Sequence, residues 1–238
     1  MKKINFKFRD KYYYKLNTRP KPAKNYLPEW WKNTWTYGIV EKDTKLRMVN
    51  GSTNVTMKKC QPLLDGMTHG YILETQYDYI IDQAPNNPDG FTLSWKVDEP
   101  VFQKHGQHSM NMETPPGYHK QPVKFIWNMI PRTPKGYSLL FIQPMGHNNL
   151  PFKAIPAIVD ADDDMTNYTI PGWISDHHEG IIPAGTPVVQ LIPIKRDDWK
   201  ATFSYFEEDE HDILDKSTFR ANILNNYVNR IWKKKKFQ

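Results

Sequence analysis

The sequence predicts a mainly β fold, either a sandwich of the jelly-roll type or a small barrel. First, 19 prolines against 12 glycines in 238 residues favour short strands and fixed turns over a helical bundle. Second, 13% of the residues are aromatic, enough to build a sizeable core. Third, residues 135–196 read as three or four apolar stretches broken by proline and glycine, a pattern typical of successive strands.

Three parts are predicted along the chain: an extended aromatic arm over 1–36, a β core over 37–200 and a C-terminal segment over 201–238. The last part contains an amphipathic helix that Ser217 can cap. Its apolar stripe is formed by residues four apart: Phe219, Ile223, Tyr227 and Ile231.

The arm carries three tryptophans within six residues. Pro28 suits the first turn of a short helix, in which Trp31 and Trp35 would share a face. Because indoles are costly to leave in water, they either pin the arm to its own domain or anchor it in another subunit. We predict subunit contacts at Trp30, Trp31 and Trp35.

Within the core, β-branched and aromatic enrichment predicts strands over residues 70–81, 91–95 and 124–130. Residues 58–67 read as a short approach to the first of these, and 98–123 as a polar loop. Gly136 and Gly185 are predicted turn glycines.

Composition excludes several classes of protein. A single cysteine, Cys60, excludes an intrachain disulfide framework and a cysteine zinc site. No apolar run approaches the roughly 20 residues that cross a bilayer, so no membrane is expected. The basic start of the chain has no apolar stretch after it and does not read as a signal peptide.

The net charge of +6 is concentrated at the two ends of the chain, which closes with Lys233–Lys236. Such asymmetry can indicate contact with nucleic acid or an acidic partner. The alternatives are a solvated tail, or lysines that offset the dipole of the preceding helix.

An acidic run offers a candidate metal site. Asp160, Asp162 and Asp164 have the alternate spacing of a calcium loop. The signature then requires glycine and glutamate, where this chain has Met165 and Pro171. A solvated acidic turn is the other interpretation.

The histidines form two clusters, one with His105 and His108 and one with His177 and His178. Two histidines and a carboxylate would suit a metal-dependent oxygenase, whereas surface histidines have no such role. No Ser-His-Asp, P-loop or dinucleotide motif is present, and no cofactor is predicted.

Several strings resemble an uncharacterised family carried by tailed bacteriophages, notably those of marine bacteria. The strings are residues 28–32, 59–71, 133–138, 158–162 and 185–200, and the resemblance covers roughly 20–200. It implies a phage context, hence a location in the host cytoplasm or the virion.

A remoter resemblance, over residues 60–196, is to the dUTPase-like β-folds, whose barrel is the second fold alternative. In that family a Gly-Tyr-Asp strand supplies the base that activates water, but here Gly70-Tyr71 is followed by Ile72. The phosphate-contacting Arg-Ser-Gly is replaced near residues 143–146, and a lysine-rich helix replaces the flap. The scaffold is expected to persist without the chemistry.

These observations favour a protein without enzymatic activity, a phage-encoded structural or assembly protein that forms homo-oligomers or joins other phage proteins. Nucleic acid could also bind to the Lys233–Lys236 tail. The alternative is nucleotide binding or hydrolysis on a dUTPase-like scaffold, with Tyr71, Asp160 and Gln190 as candidate residues. A metal-dependent oxygenase is the third hypothesis.

Overall fold

The computed structural model describes residues 2–16, 18–36, 56–84, 87–96, 102–105, 112–163, 169–207, 210–211 and 227–238. Its fold is mainly β, which confirms the predicted class. The chain divides into two compact units, one of residues 1–26, 70–196 and 237–238 and the other of residues 27–69 and 197–236. The segment predicted as an arm is therefore shared between the two units.

Short strands dominate the secondary structure. The strands are β1 (Asn5–Phe8), β2 (Lys21–Pro22), β3 (Tyr71–Glu74), β4 (Tyr79–Ala84), β5 (Asn87–Ser94), β6 (Phe102–Lys104), β7 (Val123–Ile126), β8 (Met129–Arg132), β9 (Tyr137–Ile142), β10 (Phe152–Ala154), β11 (Ala157–Asp160), β12 (Thr169–Ile174), β13 (Gly180–Ile182) and β14 (Pro187–Lys195). The helices are α1 (Lys11–Leu16), α2 (Glu29–Asn33) and α3 (Gln61–Thr68), with 3₁₀ turns at Ala23–Tyr26 and Met57–Lys59 and a π-helical turn at Tyr227–Ile231.

The strands form four sheets in which neighbours pair antiparallel. The largest has the order β11-β9-β14-β3-β2, and the others are β10-β12-β7-β6, β13-β4-β5 and the two-stranded ribbon β1-β8. Among the described strands, none of these sheets closes into a barrel. The barrel alternative therefore has no support in this part of the chain.

Strand β14 is the centre of the largest sheet. Its residues Val188–Leu191 are fully buried, because β9 and β3 flank the strand and both of its faces are covered. A strand buried on both faces reads as a near-continuous apolar run, and in β14 only the buried Gln190 interrupts the apolar residues before Lys195. Beside it, Phe125 packs its ring against Phe102 and Phe152 at centroid distances of 4.5 and 4.8 Å. The aromatic content of the sequence is thus used in the core.

The approach predicted over residues 58–67 is instead largely a helix, α3. Pro62 lies in its first turn, where the missing N–H costs nothing. Met67 is buried, and the Thr68 hydroxyl donates to the carbonyl of Leu64 at 2.8 Å. The short apolar run at Leu63 and Leu64 is compatible with a strand or a helix. Pro62 favours the helix, because proline fits the first helical turn.

The single strand predicted over 70–81 is two strands in different sheets. Between β3 and β4, Thr75 donates its N–H to the carbonyl of Thr186 at 2.8 Å and accepts from the N–H of Gly185 at 2.9 Å. These bonds continue the antiparallel pairing of β3 with the β14 side by one position, after which β4 pairs in another sheet. The strand predicted over 124–130 is likewise divided between β7 and β8.

Two helix predictions need correction or fall outside the described residues. Helix α2 begins after Pro28, as predicted, but ends at Asn33, so Trp31 and Trp35 do not share a helical face. Ser217, Phe219 and Ile223 lie outside the described residues.

The predicted turn glycines Gly136 and Gly185 do have positive φ, 81° and 86°. No helix among the described residues has the length and apolar character to span a bilayer.

Candidate functional site

Among the residues that the structure describes, the most exposed large aromatic side chains lie on residues 197–207, here called the aromatic segment. Its aromatic side chains Trp199, Phe203, Tyr205 and Phe206 are 89%, 95%, 82% and 56% exposed. The segment is part of the second unit and belongs to no helix or strand. Exposed apolar surface of this kind is a candidate interaction site.

The local sequence explains the character of the segment. Trp199, Ala201, Phe203 and Tyr205 alternate with Lys200, Thr202 and Ser204. In extended backbone this alternation places the apolar side chains on one face and the polar ones on the other. The chain thus has the pattern of a half-buried strand while every residue of the segment is exposed. The alternation is visible in the sequence, although Trp30, Trp31 and Trp35 are the aromatic contacts that the sequence predicts.

The three tryptophans predicted as subunit contacts have different environments. Trp31 is buried at 3% exposure, whereas Trp30 and Trp35 are 42% and 74% exposed. Within the same unit, Lys58 donates its ammonium to the carbonyl of Trp31 and lies 5.2 Å from the Trp31 ring centroid. Trp31 therefore anchors its own unit, and only its two neighbours offer surface to a partner.

The candidate nucleotide residues do not come together in one site. Gln190 pairs with Ile72 across the sheet and Tyr71 with Leu191, so Tyr71 and Gln190 lie on opposite faces. Asp160 shares a face with Gln190, but their strands have β9 between them and their partners on β9 are four residues apart, so strand geometry places them about 16 Å apart.

Each of Tyr71 and Gln190 also has a partner. The Tyr71 hydroxyl donates to the carbonyl of Gln238 at 3.0 Å, and the buried Gln190 amide oxygen accepts from the Met145 N–H at 2.9 Å. Both contacts serve the packing of the first unit.

The acidic turn holds an internal cation, the guanidinium of Arg196. Arg196 contacts both carboxylate oxygens of Asp162 and reaches Asp160 at 3.2 Å. The hydrogen bonds from Arg196, together with one from the Gly136 N–H at 2.8 Å, lower the pKa of Asp162 to about 2. Arg196 thus neutralises the carboxylate charges that a calcium ion would bind. Asp164, the third predicted ligand, lies outside the described residues.

His177 and His178 line a cleft of about 380 Å³ in the first unit, together with Ile81, Asp82, Gln83, Phe91, Tyr118, His119, Lys120, Asp176 and Glu179. His177 is exposed and lies 3.3 Å from the Asp176 carboxylate. The Nε2 atom of His178 is buried and has no hydrogen-bond partner among the described residues. Burial lowers the pKa of His178, which favours the neutral imidazole.

The histidine clusters do not assemble into a metal centre. In the part of the chain that the structure describes, no three His, Cys, Asp or Glu side chains are placed to hold a metal ion. His105 is absent from the cleft lining, and its backbone N–H donates to the carbonyl of Pro122 at 2.8 Å. His108 lies outside the described residues.

The basic tail follows the π-helical turn and is not itself helical. Lys235 pairs with Asp65 of α3, and the Trp232 indole donates to the same carboxylate at 2.8 Å. Burial acts to raise the pKa of Asp65, but the hydrogen bonds from Lys235 and Trp232 outweigh it and lower that pKa. One lysine of the tail therefore fastens the C-terminal end of the second unit.

No protein-family model, curated protein or solved structure matches this chain. The site must therefore be interpreted from its own chemistry. The candidate hydrolytic residues are apart, whereas four neighbouring aromatic side chains face solvent. Apolar burial against another protein surface is the process that this arrangement can perform.

Proposed function

We propose that this protein is a non-enzymatic, phage-encoded structural or assembly protein that works as an oligomeric β scaffold. The exposure of Trp199, Phe203, Tyr205 and Phe206 is the observation that carries the proposal. The phage context follows from the resemblance of strings such as residues 185–200 to a tailed-phage family.

The area of the aromatic segment suits a stable contact. An aromatic side chain buries about 150–250 Å² when it is covered, so Trp199, Phe203 and Tyr205 on the apolar face offer about 450–750 Å², and Phe206 adds surface on the other face. Each partner in a standard interface contributes about 800 Å². Aromatic residues, tryptophan and tyrosine above all, also dominate the binding energy of interfaces. The segment could therefore supply one side of a contact between two copies of the chain.

Sedimentation velocity of the full chain tests the proposal. The wild-type protein is expected to form a defined oligomer, and a variant with Trp199, Phe203, Tyr205 and Phe206 all changed to Ser is expected to be a monomer. Because these side chains are exposed, the variant should keep the circular dichroism of the wild type. A matched control changes Lys200, Thr202 and Ser204 to Ala on the polar face and should keep the oligomer. A monomeric wild type, or an oligomer that survives the loss of the aromatics, would contradict the proposal.

Trp30 and Trp35 can be tested in the same way. Replacing both with Ser should weaken the oligomer without unfolding the chain, because both are partly or largely exposed. Trp31 is unsuitable for this test since its burial makes it part of the fold. Mass spectrometry of purified phage particles then separates a virion component, present at fixed copy number, from an assembly factor that leaves before maturation.

A further inference from the structure

Strand β11 is an open edge of the largest sheet. It pairs with β9 on one side, and no described strand pairs with its other side. Such an edge is a template for a further strand unless lysine, proline or a bulge blocks it. Residues Ala157–Asp160 include neither lysine nor proline, and their register with β9 is regular. The one charged side chain, that of Asp160, is paired with Arg196 at 3.2 Å.

The hydrogen-bond pattern of β9 decides which of its residues bond to β11. At the start of the strand, the Arg196 N–H donates to the Gly136 carbonyl at 2.9 Å. Hydrogen-bonded pairs recur at every second residue of an antiparallel ladder, so Leu140 bonds to β14 and Leu139 does not. Pro193, which lies opposite Leu139, has no N–H and fits this pattern. Leu139 therefore bonds to the strand on its other side, β11.

The same pattern identifies the backbone groups on the open side of β11. Leu139 pairs with Val159, so the N–H and C=O groups of Val159 point to β9. Those of its neighbours Ile158 and Asp160 point away from β9. No described backbone group bonds to them on that side. Two residues of the edge thus offer a donor and an acceptor each.

The side chains at this edge are apolar on the face that is turned away from the core. Ile158 is 66% exposed, whereas Val159 of the other face packs against the core. Ile158 lies opposite Leu140, which lies opposite Ile192. The three side chains form a row across the sheet, because directly paired residues point to the same face. An apolar side chain on an added strand would extend this row.

The aromatic segment has the sequence of a strand without the pairing of one. Trp199, Thr202, Phe203 and Tyr205 are residue types that favour strands, and the alternation of the segment places Trp199, Phe203 and Tyr205 on one face. All of its residues are exposed and none belongs to a described strand. The chain therefore contains one strand-like segment that lacks an edge and one edge that lacks a strand.

The other edge strands offer a less suitable surface. Strand β2 has two residues, one of them Pro22, and β6 and β13 have three residues each. In β10, the Gln143 amide bonds to the carbonyl of Phe152 at 3.2 Å and to the N–H of Ala154 at 2.8 Å. In β5, the carbonyl of Phe91 accepts from a lysine ammonium. These edges are short or already bonded to side chains.

We propose that the aromatic segment of one copy adds as a further strand to the β11 edge of a second copy, with its apolar face beside Ile158. This inference rests on the proposed oligomeric function and names the surface that the segment binds. In strand addition, main-chain hydrogen bonds supply affinity and alternate side chains supply specificity. Since each copy contributes a segment and an edge, the contact is heterologous and joins copies head to tail.

Sedimentation velocity of full-length edge variants is the first test. Ile158→Pro removes an outward N–H and keeps the bonds to β9, whereas Ile158→Lys keeps the backbone and places a charge on the edge. Each should raise the dissociation constant of the oligomer about tenfold or more, since a hydrogen bond or an apolar contact is lost. The matched control is Ile181→Lys on β13, where the isoleucine is 60% exposed on another edge strand. This control should keep the wild-type oligomer, and wild-type assembly of both Ile158 variants would overturn the proposal.

Mixing two defective variants tests the head-to-tail arrangement. Ile158→Pro retains the aromatic segment, and the variant with all four segment aromatics changed to Ser retains the edge. Each should be a monomer alone, and an equimolar mixture should form a dimer held by one intact contact. If two segments bound each other instead, the mixture would stay monomeric, because one partner lacks the aromatics. That result would overturn strand addition.

Hydrogen exchange separates failure of this inference from failure of the proposed function. In the wild-type oligomer the amides of Ile158 and Asp160 should exchange more slowly than in the variant without segment aromatics. A monomeric wild type would contradict the proposed function and this contact with it. A wild-type oligomer that depends on the segment, but whose exchange at residues 157–160 equals that of the monomeric variant, would overturn strand addition alone.

Discussion

A close backbone approach at Gly70 shows how one residue constrains the main sheet. Gly70 has a φ of 77°, and a Cβ added there would lie 2.0 Å from the carbonyl oxygen of Leu191. The Gly70 carbonyl also accepts from the N–H of Ala23 at 3.0 Å. Glycine is needed here for two reasons, its left-handed backbone and the space that β14 takes.

Gly70→Ala is therefore expected to destabilise the protein by about 2–5 kcal/mol, the sum of left-handed strain and overpacking. Gly136→Ala is the matched control, since Gly136 has a φ of 81° but no atom within 4 Å of the added Cβ. It should cost only about 1–2 kcal/mol from backbone strain. Urea unfolding measures both, and equal losses would show that the contact with β14 is not the larger cost.

The ion pair between Asp162 and Arg196 makes a prediction about pH. The Arg196 contacts depress the folded-state pKa of Asp162 to about 2, from an ordinary value of 3.8. The unfolded chain therefore takes up the proton first as pH falls. The contribution of the pair to stability is fully present above about pH 4 and is lost between about pH 4 and 2.

The difference in melting temperature between wild type and Asp162→Asn should be constant near neutral pH and shrink across that window. Arg196→Gln removes the same interaction by changing the other partner. The difference in melting temperature between wild type and this variant should shrink over the same pH range. A difference that does not change between pH 5 and 2 would show that Asp162 titrates alike in the folded and unfolded chains.

At the scale of elements, the local pattern of apolar residues predicts a strand well where that strand is buried in the core. The apolar stretches within residues 135–196 predict successive strands, and one of them, β14, is fully buried from Val188 to Leu191. The sequence predicts a single strand over residues 70–81, because the apolar and aromatic pattern continues from β3 through Thr75 into β4. What separates them is the choice of partner: β3 pairs with β14, more than 100 residues away in sequence, whereas β4 pairs with β5 and β13.

The candidate site was predicted only in part, for a similar reason. An aromatic interaction surface was expected, but at Trp30, Trp31 and Trp35, of which Trp31 is buried. Apolar and polar residues alternate along the aromatic segment. This alternation alone does not show whether the segment pairs with another strand of the same chain. The pairing of β1 with β8 likewise joins residues 127 positions apart, Asn5 with Arg132, which no local pattern in the sequence indicates.

On the scale of the whole molecule, Tyr71 connects distant parts of the chain within the first unit. Its ring contacts Phe6 of β1 at 5.6 Å and Phe237 near the C-terminus at 5.9 Å, both edge to face. Its hydroxyl donates to the Gln238 carbonyl at 3.0 Å. Residues near both ends of the chain thus meet on one strand of the main sheet, and the last two residues belong to its fold.

Deleting Phe237 and Gln238 should therefore destabilise the first unit by about 1–3 kcal/mol, since one aromatic pair and one hydrogen bond are lost. Tyr71→Phe keeps both ring contacts and should cost only the hydrogen bond, about 0.5–1.5 kcal/mol. In the truncated chain the same substitution should cost less, because the carbonyl partner is already gone. Urea unfolding gives the free energies, and faster hydrogen exchange in β3 would locate the effect. Equal costs of Tyr71→Phe in the two backgrounds would mean that the hydroxyl contributes nothing through Gln238.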